Sequence, residues 1–177
     1  MERDIEKVLI PTEEIQSKVA EMGKKISADF SGKDPIFIGV LKGCFIFMAD
    51  LMRYVTINCS MDFMAVSSYS GTRSTGAVKI NKDLSEDIEG RHIIIVEDIL
   101  DSGVTLNYLK NYLVGRNPAS ISIATLMDKP ARRKADIYAD YSCFEIPDAF
   151  VVGYGLDYNE RYRNLPYIGV LKPEIYS

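Results

Sequence analysis

Several features are scarce in this sequence of 177 residues, and each scarcity argues against a class of protein. There is one histidine, His92, and the three cysteines form no C-x-x-C pair, so no zinc-site spacing exists. No apolar run is long enough to cross a bilayer. No G-x-G-x-x-G follows a predicted strand, which argues against a dinucleotide-binding protein. The formal net charge is −4, which argues against a broad nucleic-acid-binding face.

The remaining composition is that of an ordinary soluble globular protein, with 47% hydrophobic and 26% charged residues. The unpaired cysteines predict a reducing compartment, and the charged amino-terminal segment lacks the apolar stretch of a signal peptide. We therefore expect a cytoplasmic protein that does not enter a membrane. Since the sequence shows no internal repeat, linker or low-complexity tract, we expect one domain over residues 1–177.

The most informative stretch is residues 93–109. Residues 93–96 are all β-branched, which predicts a short strand buried on both faces. Two adjacent carboxylates, Glu97 and Asp98, stand at the predicted end of this strand. The turn cluster Asp101-Ser102-Gly103 follows and offers side chains that can cap a helix. The apolar positions of the predicted helix are Leu106, Leu109, Leu113 and Val114.

A strand, an acidic pair, a tight loop and a helix start together fit one kind of ligand. The first turn of a helix attracts phosphate, Gly103 allows close approach of the backbone, and Ser102 and Thr105 add hydroxyl donors. Glu97 and Asp98 would repel phosphate, so they suit sugar hydroxyls or Mg²⁺ instead. The spacing alone leaves a second interpretation open, a strand end with solvated acids and an ordinary capped helix.

Other apolar runs predict further elements of an α/β fold. A helix is expected to begin with Thr12 as its N-cap, and another to span residues 44–54. The apolar face of the first helix is predicted to be Ile15, Val19, Met22, Ile26 and Phe30. The predicted strands are Ile36–Leu41, 60–66, 121–126, 150–153 and 167–171.

Two segments can be interpreted in two ways from the residues alone. Lys42 follows a predicted strand, where open α/β sheets bind ligands, but a lone lysine there is more often solvated. Residues 67–76 are small and polar, which fits either a hairpin tip or a lid that closes over a reaction. In the strand before them, Met61, Phe63 and Ala65 alternate with Asp62 and Met64.

Residues 96–105, Val-Glu-Asp-Ile-Leu-Asp-Ser-Gly-Val-Thr, resemble the phosphoribosyl-pyrophosphate signature of type I phosphoribosyltransferases. Further stretches resemble the hypoxanthine-guanine phosphoribosyltransferase family, and the resemblance extends from about residue 36 to residue 171. These stretches are Leu41-Lys42-Gly43, Ser68-Tyr69, Lys129 and residues 144–160.

The resemblance implies an α/β fold of the type I phosphoribosyltransferase kind. Its mainly parallel central sheet would be flanked by helices, with a core of about residues 36–145 and a small hood from the terminal segments. The implied reaction joins hypoxanthine or guanine to 5-phosphoribosyl 1-pyrophosphate, giving IMP or GMP and pyrophosphate in purine salvage. Mg²⁺ is the implied cofactor, and a homodimer or homotetramer is the expected assembly.

The resemblance also assigns roles to individual residues. It makes Asp101 the acid/base group and places Ser68 and Tyr69 in a lid. Phosphoribosyl and phosphate binding fall to Glu97, Asp98, Asp101, Ser102, Gly103, Val104, Thr105 and Leu106. Pyrophosphate binding falls to Leu41, Lys42, Gly43, Arg133 and Arg163, with a cis peptide bond before Lys42. The purine would be held by Lys129, Phe150, Val151 and Asp157, and the metal by Glu97, Asp98 and Asp157.

The sequence departs from the family at Val104, where some members carry lysine, so phosphate affinity could be lower. One rival function is a related transferase that acts on xanthine or a pyrimidine. Another is a non-catalytic regulator of the same fold that binds RNA, against which the net charge and the retained Asp101 argue.

Overall fold

Two β-sheets organise the residues that the computed structural model describes, which are 1–68 and 78–177. Within these residues the strands are β1 (Ile5–Ile10), β2 (Ile36–Leu41), β3 (Ser60–Ser68), β4 (Val78–Lys82), β5 (His92–Leu100), β6 (Ser120–Asp128), β7 (Tyr141–Glu145), β8 (Val151–Val152) and β9 (Ile168–Leu171). The helices are α1 (Thr12–Asp29), α2 (Phe45–Tyr54), α3 (Val104–Val114) and α4 (Pro173–Tyr176), with 3₁₀ turns at Glu2–Asp4 and Pro130–Arg132.

The larger sheet has six strands in the order β4-β3-β2-β5-β6-β7. All neighbours in it are parallel except β3 and β4, which form an antiparallel pair. Since the parallel strands end at one edge of the sheet, that edge gathers the loops that follow β2, β5 and β6. Every segment predicted to contact the phosphoribosyl group or the pyrophosphate, apart from Arg163, belongs to or follows these three strands.

The larger sheet is covered on both faces. Successive side chains along β5 pack alternately into two different cores. Ile94 and Val96 belong to a core shared with α1 and α2, while Ile93 and Ile95 belong to a core shared with α3. All four side chains are fully buried, which confirms the predicted two-sided strand. The predicted apolar face of α1 is also buried from Ile15 to Phe30.

The strand β5 is longer than the sequence predicts. It continues through Glu97 and Asp98 to Leu100, and Glu97 pairs with Thr125 of β6. The two acids are therefore part of the sheet and do not lie beyond its end, because pairing with β6 extends the strand past the apolar run.

The buried face of β3 is not the face that its apolar residues predict. Met61 is 50% exposed, whereas Asp62 and Met64 are buried. Burial of Asp62 is stabilised because its carboxylate accepts hydrogen bonds from the amides of Phe63 and Ser85 and pairs with Lys82 at 3.4 Å. Ser85 and Lys82 are distant from Asp62 in the sequence, so the local apolar pattern does not indicate these contacts.

Both predicted N-caps are displaced. Pro11 caps α1, while Thr12 is its first residue and donates its hydroxyl to the carbonyl oxygen of Pro166 at 2.9 Å. Gly103 caps α3 in the left-handed conformation, at φ +74°, and no side chain supplies the cap. Val114, predicted on the buried face of α3, is 53% exposed.

The smaller sheet joins the two terminal segments. Its order is β1-β9-β8, all antiparallel, and it includes β1, which the sequence analysis did not predict. A separate small core of Val152, Tyr162, Leu165 and Leu171 packs beside it, and the hydroxyl of Tyr162 donates to Asp4 at 2.9 Å. None of the helices in the described part of the chain is both long and apolar enough to span a membrane.

Candidate active site

The turn after β2 meets the acids of β5 directly. The peptide bond between Leu41 and Lys42 is cis, as the family resemblance implies. The next residue, Gly43, lies so close to Asp98 that a Cβ atom at this position would overlap the Asp98 carboxylate. A glycine is therefore required here, and the predicted pyrophosphate turn adjoins the predicted ribose and metal ligands.

The carboxylates of Glu97 and Asp98 are partly exposed and poorly compensated. Oε1 of Glu97 accepts from the amide of Asp98 at 3.0 Å, and Oδ1 of Asp98 accepts from the amide of Ile99 at 2.7 Å. Neither carboxylate forms an ion pair with any residue in 1–68 or 78–177. Burial raises the pKa of both carboxyls, and the charge of Asp98 raises the pKa of Glu97 further. Such a pair is suited to bind a cation or hydroxyl groups.

The loop from Asp101 to the start of α3 presents its backbone to an open cavity. A side chain at Gly103 would overlap Ile137, so this position needs both the glycine conformation and its small size. The first helical hydrogen bond of α3 runs from the amide of Asn107 to the carbonyl oxygen of Gly103 at 2.8 Å, which leaves the earlier amides without helical acceptors. A cavity of about 210 Å³ is lined by Glu97, Asp98, Ile99, Leu100, Asp101, Gly103, Thr105 and Leu106.

Arg133 lies in the segment that follows β6 and donates hydrogen bonds that hold this loop in position. Its Nε donates to the carbonyl oxygen of Asp101 at 2.9 Å, and a terminal nitrogen donates to that of Ile137 at 2.6 Å. The other terminal nitrogen pairs with Asp128. Each guanidinium nitrogen of Arg133 already donates to a protein acceptor, and its predicted contact with pyrophosphate stays a prediction. The arrangement suits a residue that positions the loop.

A second cavity of about 350 Å³ lies beside the first. It is lined by Asp101, Lys129, Arg132, Asp148, Ala149, Phe150, Val170 and Tyr176. Lys129 is buried, with its side chain 11% exposed, and its ammonium donates to the carbonyl oxygen of Ala149 at 2.7 Å. Phe150 is 38% exposed, and its ring stacks on Tyr176 at 4.5 Å between centroids. A cation and a partly open aromatic ring in one cavity can hold a flat polar base.

Asp101 is the residue that the two cavities share. It is exposed at the start of the glycine loop, and its backbone is held by Arg133. A group bound at the loop and a base bound near Phe150 would therefore both lie within reach of one carboxylate.

Comparison with known proteins agrees with this geometry. Residues 11–159 match the family described as the phosphoribosyl transferase domain. The hypoxanthine-guanine phosphoribosyltransferase of Bacillus subtilis (strain 168) is 59% identical over 178 aligned residues, covering 100% of this chain and 99% of that protein. A hypoxanthine phosphoribosyltransferase from Staphylococcus aureus has a crystal structure that matches with a TM-score of 0.96 and 52% identity, over 100% of this chain and 97% of that one.

The chain belongs to the phosphoribosyltransferase family. Its similarity to the relatives named above places it among the hypoxanthine-guanine phosphoribosyltransferases, which are pentosyltransferases. The family and the mainly parallel α/β fold that residues 96–105 predict are both confirmed.

The carboxylates predicted to hold the metal are not gathered in this structure. No three histidine, cysteine or acidic side chains in the described ranges form a group that could hold a metal ion, so the role of Asp157 as a ligand beside Glu97 and Asp98 stays a prediction. The carboxylate of Asp157 is instead paired with Arg163 at 3.0 Å and accepts from the amide of Glu160 at 2.8 Å. The three carboxylates are therefore not a preassembled metal site.

Of the predicted lid residues, Ser68 is the last residue of β3, and Tyr69 lies outside the described residues. Asp148, Glu160 and Tyr176 are among the residues near the site to which the sequence analysis gave no role. Asp148 pairs with Arg132 at 2.8 Å and lies 3.8 Å from Lys129. The local sequence gives no sign that Tyr176 lies near the site. Its stacking partner, Phe150, comes much earlier in the chain, before the antiparallel strands β8 and β9.

Proposed function

We propose that this phosphoribosyltransferase joins hypoxanthine or guanine to 5-phosphoribosyl 1-pyrophosphate and releases IMP or GMP and pyrophosphate. The observation that carries the proposal is the position of Asp101 between the loop cavity and the cavity at Phe150. A transfer reaction needs both substrates held side by side, and such positioning can contribute roughly 7–11 kcal/mol of the barrier.

The loop cavity is the proposed site of the phosphoribosyl group. Residues 102–106 hold the 5′-phosphate through backbone amides and the hydroxyls of Ser102 and Thr105. Val104 adds no charge, but an amide cradle does not depend on its side chain. Glu97 and Asp98 bind the ribose hydroxyls.

Glu97 and Asp98 also fit the proposed Mg²⁺. Their oxygens are the ligand type that Mg²⁺ prefers, and Mg²⁺ is often bound by one or two carboxylates together with substrate phosphates. Bound there, the ion would neutralise charge on the departing pyrophosphate. Asp157, which we also proposed as a ligand, would first have to leave Arg163.

The cavity at Phe150 is the proposed purine site. The ring of Phe150 stacks on the base, a contact that contributes on the order of 1–3 kcal/mol in base-binding proteins. Lys129 contacts the exocyclic oxygen, and the backbone of Val151 and the residue Asp157 border the base. Lys129 favours a 6-oxopurine because its ammonium can only donate hydrogen bonds.

Asp101 is the proposed acid/base group. As the pyrophosphate departs, positive charge develops at the anomeric carbon and the purine must lose a proton. The carboxylate of Asp101 accepts that proton near N7, and general-base catalysis of this kind contributes about 10²–10⁴-fold. Lys42 and Arg163 stabilise the leaving pyrophosphate.

A panel of purines and pyrimidines, with release of pyrophosphate as the measurement, tests the proposed substrates. We expect turnover with hypoxanthine and guanine. Turnover only with xanthine or a pyrimidine would contradict the proposal, and RNA binding with a steep salt dependence and no turnover would favour the regulator.

The variant Asp101→Ala tests the mechanism. It should lower kcat by roughly 100-fold or more and leave the affinity for both substrates nearly unchanged, because only the proton acceptor is lost. Steady-state kinetics and binding of phosphoribosyl pyrophosphate are the measurements. An unchanged kcat would remove Asp101 from the acid/base role.

The proposal extends to the setting of the enzyme. We expect a homodimer or homotetramer in the cytoplasm that binds neither nucleic acid nor membrane. The free thiols of Cys44, Cys59 and Cys143 and the net charge of −4 support the compartment and the absence of a nucleic-acid partner.

A further inference from the structure

One carboxylate bridges the two cations that we propose for pyrophosphate. Oε2 of Glu160 accepts from Nζ of Lys42 at 2.9 Å, and Oε1 of the same residue lies 3.3 Å from a terminal nitrogen of Arg163. A carboxylate with an oxygen on each cation resembles a phosphate group in charge and in hydrogen bonding. Glu160 therefore occupies the positions that an incoming anion would take.

The carboxylate of Glu160, which contacts both cations, is charged and accessible to solvent. The hydrogen bond from Lys42 lowers the pKa of Glu160, which favours the charged carboxylate. The side chains of Lys42 and Glu160 are each 65% exposed, so solutes can reach and replace the contact. An exposed ion pair contributes little stability, so opening it costs little.

Lys42 and Arg163 depend on Glu160 to different degrees. Arg163 is also held by the carbonyl oxygen of Gly155 at 2.8 Å and by Asp157, and it is only 19% exposed. Its buried Nε has no hydrogen-bond partner among the described residues. For Lys42, Glu160 is the only hydrogen-bond partner of its ammonium in the part of the chain that the structure describes. Loss of the Glu160 carboxylate would free Lys42 and leave Arg163 in place.

The backbone presents Glu160 to these cations. Asn159 and Glu160 adopt left-handed conformations at φ +51° and φ +60°, and Tyr158 and Arg161 close the turn through a pair of hydrogen bonds. Gly155 anchors the segment, since a Cβ there would overlap the carbonyl oxygen of Gly43. The carboxylate is thus fixed beside the turn after β2 and is not on a free chain end.

We propose that Glu160 competes with pyrophosphate for Lys42 and Arg163, so that it weakens the binding of pyrophosphate and of the phosphoribosyl donor. The inference rests on the proposed function, because it takes these two cations as the pyrophosphate site. When pyrophosphate leaves, Glu160 returns to the cations and opposes its rebinding. Product release limits the rate of many enzymes, and this competition would favour release.

The test is the affinity of the whole enzyme for inorganic pyrophosphate, measured by calorimetry with Mg²⁺ and again without it. Glu160→Gln keeps the size of the side chain and removes the charge. We expect roughly two- to tenfold tighter binding, because two exposed or partly exposed ion pairs no longer have to be broken. The gain should shrink at high salt, since screening weakens the competing pairs.

A matched control is available on α1. Glu21 is 64% exposed and pairs with Lys18 at 3.0 Å, so Glu21→Gln removes an equivalent surface pair away from the site. It should leave the affinity unchanged. In a Lys42→Gln background, Glu160→Gln should give a smaller gain, because the principal competitor pair is already absent.

Unchanged or weaker binding of pyrophosphate by Glu160→Gln would overturn the inference. Weaker binding would mean that Glu160 positions the two cations. Turnover of wild-type enzyme with hypoxanthine and the phosphoribosyl donor, measured in parallel, keeps the proposed function separate. Turnover without the expected gain refutes only the role of Glu160, whereas absence of turnover refutes the proposed function.

Discussion

The larger sheet carries two acidic regions, Asp62 on β3 and the pair Glu97 and Asp98 on β5. They differ in how the protein compensates their charge. On β3, burial alone would raise the pKa of Asp62, but the amides of Ser85 and Phe63 and the ammonium of Lys82 outweigh it and lower the pKa. On β5, burial raises the pKa of Glu97 and Asp98, and no cation pairs with either within the described ranges.

The difference separates a structural carboxylate from the two that we propose as ligands of the sugar and the metal. Asp62 has its partners supplied by the protein, so it stabilises the fold and has no capacity left for a ligand. Glu97 and Asp98 have too few partners, which costs stability and leaves oxygens available for a metal ion or a sugar. The position of a buried acid in the sheet matters less than whether the protein completes its hydrogen bonds.

The largest expected effect comes from neutralising the β5 pair in the double variant Glu97→Gln/Asp98→Asn. We expect turnover to fall by roughly 100-fold or more, because the proposed ribose and metal ligands lose their charge. We also expect the thermal midpoint to rise, because burial of uncompensated charge is removed. Steady-state kinetics and thermal unfolding measure the two effects.

The pH dependence of that stability gain has a defined sign. A carboxyl whose pKa is raised in the folded protein binds more protons folded than unfolded, so the contribution of Glu97 and Asp98 to wild-type stability falls as the pH rises above about 4, the unfolded pKa. The gain of the double variant should therefore be larger at neutral pH than in acid. A thermal midpoint that falls at neutral pH would contradict this view of the pair.

The variant Asp62→Asn should have the opposite pattern. Loss of the charge weakens the bonds to two amides and Lys82, so we expect the free energy of unfolding to fall by about 1–3 kcal/mol with turnover nearly unchanged. Because the folded pKa of Asp62 is lowered, its contribution is lost as the pH falls below about 4. Denaturant unfolding at neutral and acidic pH gives the measurement, and a variant as stable as wild type would break the comparison.

A third acid sharpens the comparison, because Asp128 is compensated although it lies beside the site. Its partner Arg133 also holds the carbonyl oxygen of Asp101. Arg133→Lys keeps the charge for Asp128 and cannot reproduce the fork of donors. We expect KM for the phosphoribosyl donor to rise by roughly three- to tenfold, or about 1 kcal/mol, with little change in the thermal midpoint. If KM stays unchanged, Arg133 does not position the loop.

The sequence correctly predicts the features that depend on residues close together in the chain. The β-branched run of residues 93–96 is a buried strand, α1 buries the face from Ile15 to Phe30, and the motif at residues 96–105 identifies the family. Each depends on periodicity or on a contiguous motif, which a single sequence displays directly.

The features that the sequence does not predict depend on distant partners. β1 exists because it pairs with β9, more than 150 residues later, and the inward turn of Asp62 depends on amides beyond β4. The position of Arg133 is set by Asp128 and by several backbone carbonyl oxygens, and since every residue carries a carbonyl oxygen, the sequence does not indicate which ones it contacts. Glu160 was one of several charges in residues 157–163, and only its distances to Lys42 and Arg163 single it out.

The central claim is that the loop between β5 and α3, together with its acidic pair, binds the activated sugar. Crystals soaked with 5-phosphoribosyl 1-pyrophosphate and Mg²⁺ test it most directly. The account predicts density for the 5′-phosphate at the amides of residues 102–106 and for the ribose beside Glu97 and Asp98. Density for the sugar at any other place on the protein would contradict it.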